Sequence, residues 1–197
     1  METTSLTALA LYAFVMSITP GPNNLMLTTS GLIFGMARTW PHILGIPVGV
    51  AVQLVAVGAG LGAAFALEPG IQIALKAAGT LYLLWLASRL WRAAAMRDVE
   101  IARPVTFLQA AAFQFVNPKA WLIAVTVVAA FVAPGDGYAM RLALVCAIFA
   151  AVGTPCMAVW AGFGARLRQV LHDPAKLLIV NRTMAALAAM TAGLFWL

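Results

Sequence analysis

Residues 17–24 read Ser17-Ile18-Thr19-Pro20-Gly21-Pro22-Asn23-Asn24, and residues 114–119 read Gln114-Phe115-Val116-Asn117-Pro118-Lys119. Neither stretch continues an α-helix easily, because proline lacks a backbone N–H and its ring collides with the preceding turn. Each nevertheless sits inside a long apolar run, Leu6 to about Leu32 and Phe107 to Val132. Irregular backbone at membrane depth survives only where protein or a water-filled cavity surrounds it, so these runs read as broken membrane helices. The remaining sequence agrees. Hydrophobic residues make up 63% of the chain, charged residues only 9%, and the mean hydropathy is +0.97. A soluble domain carries about a quarter charged residues. Four further apolar segments, Ile43 to Leu67, Ile71 to Trp91, Leu142 to Phe163 and Leu177 to Leu197, are each near the roughly 20 helical residues that cross a bilayer. The sequence therefore predicts an all-α, polytopic membrane protein of six transmembrane helices, a single transporter domain over residues 1–197.

Punctuation supports these boundaries. Thr39 with Pro41, Glu68-Pro69-Gly70, Pro104 and Asp173-Pro174 offer caps or helix-opening prolines ahead of the second, third, fourth and sixth segments. The first segment reads as retained, since Glu2 stands where a secretory signal carries Lys or Arg and no small-residue cleavage site follows. Cys146 and Cys156 lie ten residues apart in one apolar run, about 15 Å along a helix and beyond disulfide reach.

Basic residues outnumber acidic ones 12 to 6. In a polytopic protein this excess marks cytoplasmic loops, and it argues against a nucleic-acid partner. Arg38 in the first loop, Arg89, Arg92, Arg97 and Arg103 in the third, and Arg166, Arg168, Lys176 and Arg182 in the fifth account for nine of the twelve. Lys76 and Arg141 fall on the opposite side and Lys119 inside the fourth span. Both termini are thus expected to face away from the cytoplasm. Trp40 and Trp91 near the inner ends, with Tyr138 and Trp196 near the outer ends, fit interfacial belts.

The two breaks also belong to a repeat. Asn23 and Asn117 are 94 residues apart, Lys76-x-x-Gly79 is echoed 106 residues on by Arg182-x-x-Ala185, and Gly45-x-Pro47 is echoed 108 residues on by Gly153-x-Pro155. These offsets divide the chain into a first unit of about residues 1–92, a cytoplasmic loop of about 93–103 and a second unit of about 104–197. Each unit holds three spans, an odd number, so the copies must lie in opposite orientations in the membrane. Matched breaks in two inverted halves point to a substrate site near the midplane. A half-helix restarting at Asn23 or Asn24 presents free N–H groups and a positive dipole end suited to a carboxylate; the half-helix before it offers carbonyls suited to an ammonium. A zwitterionic amino acid matches both.

With these residues in view, Ser17 to Asn24, Ser30-Gly31 and Gly35 to Pro41-His42 resemble the signature of the lysine-exporter (LysE/RhtB-type) amino-acid efflux family, specifically its threonine/homoserine exporter-like branch. Gln114 to Trp121 is similar to that family's Asn-Pro-Lys segment, and the likeness covers essentially the whole chain. The resemblance implies a bacterial inner-membrane exporter of amino acids, driven by the proton gradient, that needs no cofactor. It places the substrate at Pro20, Gly21, Pro22, Asn23, Asn117, Pro118 and Lys119. Asn24 and Gln114 join the candidate site because they flank the breaks. Ala185 departs from the glycine that similar proteins often carry there.

Other features read as scaffold or remain two-sided. Lys119 is expected to face the cavity, the alternative being that it snorkels or bonds the carbonyls freed by Pro118. Gln53 and Gln114 suit interhelical hydrogen bonds and substrate contact equally well. The Gly31/Gly35, Gly45/Gly49 and Gly58/Gly62 spacings permit close helix contact within one chain. His42 and His172 are expected at interfacial helix ends. No clustered carboxylates, zinc helix or Ser/His/Asp set supports an enzyme. A cation exporter or a channel of related fold stays open, although the spans lack the ligand clusters a divalent ion needs. The oligomeric state is not legible.

The acids Glu2, Glu68, Asp98, Glu100, Asp136 and Asp173 all fall at termini or loops, so no carboxylate waits near Lys119 to neutralise a second substrate cation. Like charges in a low-dielectric cavity repel by several kcal/mol, roughly, before screening. A neutral substrate such as threonine, homoserine or a small aliphatic amino acid is therefore favoured over a basic one, which remains the alternative. Glu68 and Asp136 are the available proton-coupling candidates. For topology, a periplasmic reporter fused after Leu197 is expected to be active and a cytoplasmic one silent; the reverse pattern would invert every loop assignment.

Overall fold

The computed structural model describes residues 3–61, 69–93, 103–170, 174–194 and 196. Among them all regular structure is helical. Helix α1 (Thr3–Ile18) and α2 (Pro22–Phe34) meet at a 55° bend. Helix α3 (Met36–Ala56) follows after one residue and ends in a π-helical turn, Val57–Leu61. Next come α4 (Pro69–Ala93) and α5 (Phe107–Phe113), the latter prolonged by a 3-10 turn, Gln114–Val116. Helix α6 (Pro118–Phe131) leaves that turn at a bend of 74°. A long α7 (Tyr138–Val170) and α8 (Pro174–Leu194) complete the chain.

The described parts of all six apolar segments are helical apart from the two breaks and segment ends. By length and composition, however, among the described residues only Met36–Leu61 and Tyr138–Leu167 qualify alone as membrane spans, and counting each bent pair as one raises the number to four. Leu178–Gly193 is apolar but shorter.

Several local expectations change. The second helix starts at Met36, so Thr39 and Pro41 lie within α3 rather than ahead of it. The chain turns at Gly35, whose φ of 77° is a left-handed conformation natural to glycine, and this permits an immediate restart. Thr39 then donates its hydroxyl back to the Gly35 carbonyl at 2.8 Å. Arg38, Arg89, Arg92, Arg166, Arg168, Lys176 and Arg182, expected in loops, lie inside α3, α4, α7 and α8, and Arg182 rests 5.1 Å from the Trp91 ring centroid. A long basic side chain can lie along a helix and keep its charge near the interface, which frees the helix to extend beyond the apolar run. The fourth segment opens with a capping box not read from the sequence: Thr106 accepts from the Gln109 amide, and the Gln109 side chain accepts from Thr106 N–H. His42, expected at an interfacial end, is 1% exposed. It reaches across the Gly35 turn, 3.0 Å from the Ser30 hydroxyl on α2. Calls on Arg97, His172, Gly62 and the acids Glu2, Glu68, Asp98, Glu100 and Asp173 fall outside the described residues.

Small residues set the helix spacing. A Cβ placed on Gly31 would stand 2.0 Å from the Ala161 carbonyl oxygen, and one on Gly164 equally close to that of Thr28, so α2 and α7 cross backbone to backbone. Gly45 and Gly49 bring α3 equally tight against the carbonyls of Phe107 and Ala111 on α5. These glycine spacings therefore serve packing within the chain. Around the crossings, Leu27, Ile43, Ile46, Ala110, Met157 and Ala161 form one buried cluster; a second, around Leu9, Leu54, Trp121 and Val145, joins the far ends of α1, α3, α6 and α7. The two breaks end up side by side between α3 and α7.

Candidate functional site

A chain that stops one helix and starts another inside a packed bundle leaves carbonyls at the first end and N–H groups at the second. At the first break the carbonyls are fully employed. Met16 O accepts from the Thr19 hydroxyl at 3.3 Å, and Ile18 O from the Trp160 indole at 3.0 Å. The Asn24 amide, itself buried, donates to both Ser17 O and Thr19 O at 2.8 Å. Lys119 Nζ donates to the Thr19 hydroxyl at 2.9 Å, to Thr19 O at 3.2 Å and to Pro20 O at 3.4 Å. The half-helix end expected to receive a substrate ammonium is thus occupied by the protein's own lysine. Lys119 does bond freed carbonyls, but those of the opposite break, 99 and 100 residues away in sequence.

The N–H groups are treated differently at the two breaks. Asn117 caps α6, its side chain accepting from Lys119 N–H at 3.2 Å. Gly21 precedes α2 with extended backbone and no side chain to cap it. The first intrahelical bond there runs from Leu25 N–H to Gly21 O, so the N–H groups of Asn23 and Asn24 have no acceptor within the helix. Gly21 matters by proximity rather than conformation, since a Cβ there would lie 3.1 Å from Lys119 Cδ and 3.2 Å from Nζ and press on the lysine's outer side chain.

An amide cluster ties the breaks together. Asn23 and Gln114 exchange side-chain hydrogen bonds of 2.9 and 3.0 Å. Gln114 also donates to Ala110 O, accepts from Asn117 at 3.4 Å, and receives the Gln53 amide on its backbone carbonyl at 2.8 Å. Gln53 and Gln114 are completely buried, and they act as interhelical ties.

Beside these groups lies a cavity of about 50 Å³, the scale of a few water molecules or the polar end of a small amino acid. Of the sequence-predicted residues, Gly21, Pro22, Asn23, Asn24, Asn117 and Lys119 line it. Pro20 is exposed, Gln114 stands behind Asn23, and Pro118 packs toward Gly79, so these three do not. The sequence reading missed the apolar wall formed by Met16, Val50, Ile123, Phe149 and Met157, together with Ser17 and Pro47. Of these, Ser17 at the head of the first broken stretch and Pro47 in the Gly-x-Pro element carried a signal that could have found them. Asp136, one of the two titratable candidates, lies exposed in the α6–α7 turn and away from the cavity.

A LysE type translocator family model matches residues 14–197. The chain belongs to that family. It is 30% identical over 162 residues, 82% of this chain and 83% of the relative, to the cysteine/O-acetylserine efflux protein of Escherichia coli strain K12. The same figures hold for the Shigella sonnei protein of that name. No solved structure matches. The family accounts for the membrane-transport character of the chain, and the apolar broken helices are its structural counterpart.

Lys119→Met keeps the length of the side chain while removing every hydrogen bond to Thr19 and Pro20. Transport in vesicles is expected to fall at least tenfold with the protein still inserted, roughly the 1.4 kcal/mol or more expected when bonds to a charged donor are lost. Transport at the wild-type rate would reduce the lysine to a structural filler.

Proposed function

We propose that this protein exports a small, neutral amino acid from the cytoplasm, coupled to proton entry, across a bacterial inner membrane with both termini periplasmic. The carrying observation is the uncapped N-terminus of α2, opening into the same cavity as the Lys119 ammonium. Free N–H groups, a positive helix end and a nearby cation together favour a carboxylate. The substrate ammonium is then left to the Ser17 hydroxyl and to the second lone pairs of the Asn23 and Asn117 side-chain oxygens, whose first are used by Gln114 and by Lys119 N–H, since the α1 carbonyls already hold protein donors.

Six spans in two inverted halves are part of this reading. Each half supplies a broken helix, a Gly-x-Pro helix and a third helix carrying a small residue against a broken one: Gly79 of α4 at Pro118, and Ala185 of α8 in a cluster with Leu25. These exchanged contacts are what a two-fold relation between halves requires.

Side-chain neutrality is supported by the lining. Its walls are apolar and no carboxylate is among them, so a lysine or arginine side chain would meet Lys119 without a counter-charge. The names of the relatives agree in kind, since a cysteine thiol with a pKa of about 8.5 is mainly neutral at pH 7 and an O-acetylserine side chain carries no charge. The test is counterflow in proteoliposomes with labelled cysteine, O-acetylserine, threonine, homoserine, leucine, lysine and arginine. Neutral amino acids are expected to exchange at least tenfold faster than basic ones. Preference for lysine or arginine would overturn the charge argument, and divalent-cation flux without amino-acid exchange would overturn the reading.

A further inference from the structure

The buried polar groups outside the cavity include one titratable side chain that the site does not use. His42 lies on α3, 1% exposed, with Nδ1 3.0 Å from Ser30 Oγ on α2 and Nε2 buried without any partner. The pair closes a short bridge over the Gly35 turn, and Ser30 belongs to the same half-helix whose N-terminus opens into the cavity. We propose that His42 carries the coupling proton of the export cycle, its neutral form being the latch that lets α2 and α3 close on the cytoplasmic side. This rests on the exporter reading above.

The reason is hydrogen-bond accounting. A neutral imidazole satisfies Ser30 through one nitrogen and leaves one ring nitrogen unmatched. An imidazolium carries two N–H donors and a charge, with one acceptor available and no water contact. Burying an unpaired charge costs far more than burying an unmatched neutral nitrogen. Protonation therefore favours any arrangement in which α2 and α3 part and water reaches Nε2; loss of the proton to that water allows the latch to reform. The ring takes its proton from hydronium in water entering from the periplasmic side and gives it back to water on the cytoplasmic side, so one N–H bond is made and later broken and one proton is carried inward.

Neighbouring charges do not replace that role. The helices packed on α3 are α2, α5, α6 and α7. Helices α2 and α5 carry no titratable side chain. Among described side chains, those elsewhere are Arg38 on α3 itself, Lys119 on α6, and Tyr138, Arg141, Cys146, Cys156 and Arg166 on α7, none of which hydrogen-bonds His42; Arg168, also on α7, has a side chain outside the described ones. Arg38 and Arg166 are exposed, with Arg38 5.7 Å from the Phe34 ring centroid, so each keeps its charge in the polar layer.

The test separates coupling from exchange in proteoliposomes, with labelled cysteine tried first and otherwise the fastest neutral amino acid of the panel. His42→Gln keeps a neutral hydrogen-bonding group toward Ser30. Its gradient-free exchange is expected to stay within twofold of wild type, its accumulation driven by a pH gradient to fall at least tenfold, and the pH dependence of exchange to flatten. Ser30→Ala keeps the titrating ring and removes its partner; gradient-driven accumulation should persist with a displaced pH profile, which keeps the test decisive if the glutamine variant does not insert. Equal gradient-driven accumulation in His42→Gln and wild type would overturn the proposal, as would wild-type exchange that ignores a pH gradient. Absence of any amino-acid exchange by the wild type would instead bring down the exporter reading, and this inference with it.

Discussion

The Lys119 ammonium resting on the Thr19 and Pro20 carbonyls is the contact on which the arrangement depends. A helix that ends in an apolar bundle must place its last carbonyls somewhere, because each buried polar group left unpaired costs about 1–3 kcal/mol. Here the acceptors of one break are met by a donor from the other, with Asn24 and Trp160 taking the rest. Among the described residues the lysine is held by carbonyls and a hydroxyl and not by a carboxylate counter-ion. Its charge therefore stays uncancelled beside the cavity, at the point where the α2 N–H groups also emerge.

That local chemistry is held in register by packing. Backbone contact at Gly31 and Gly164 fixes α2 on α7, and contact at Gly45 and Gly49 fixes α3 on α5. The amide cluster of Gln53, Gln114, Asn23 and Asn117 then joins α3, the second break and α2. Bulk at the glycines would part the breaks by more than a hydrogen bond tolerates. The two breaks are unequal in one respect: α6 begins on a capping asparagine, while α2 begins on a bare glycine. The cavity is consequently one-sided although residues of both breaks line it.

Much of this was legible beforehand because proline and glycine act locally. Pro20-Gly21-Pro22 and Asn117-Pro118 each end one helix and open the next, whereas the lone prolines Pro41, Pro47 and Pro155 stay inside helices, and the apolar runs on either side of the two breaks point to broken membrane helices. The helix order follows from that, as does the placing beside the cavity of six of the nine residues singled out at the breaks. What the sequence hid depends on distance in space. That Lys119 would find carbonyls 100 residues away, that Trp160 would cap α1, and that Phe149 and Met157 would wall the cavity are consequences of how α7 crosses the breaks. The burial of His42 was hidden for a related reason: its place at a helix end suggested an interface, whereas helix restarts immediately after Gly35 and the ring turns inward.

The central claim is that the α2 N-terminus beside Lys119 receives a carboxylate. Equilibrium binding of a labelled neutral amino acid to the purified protein tests it most directly, with competition by the unlabelled amino acid and by the amine that lacks only its carboxylate. The account predicts that the decarboxylated amine fails to displace the label even at a hundredfold excess over the amino acid. Displacement by the amine at the same concentration as the amino acid would contradict it.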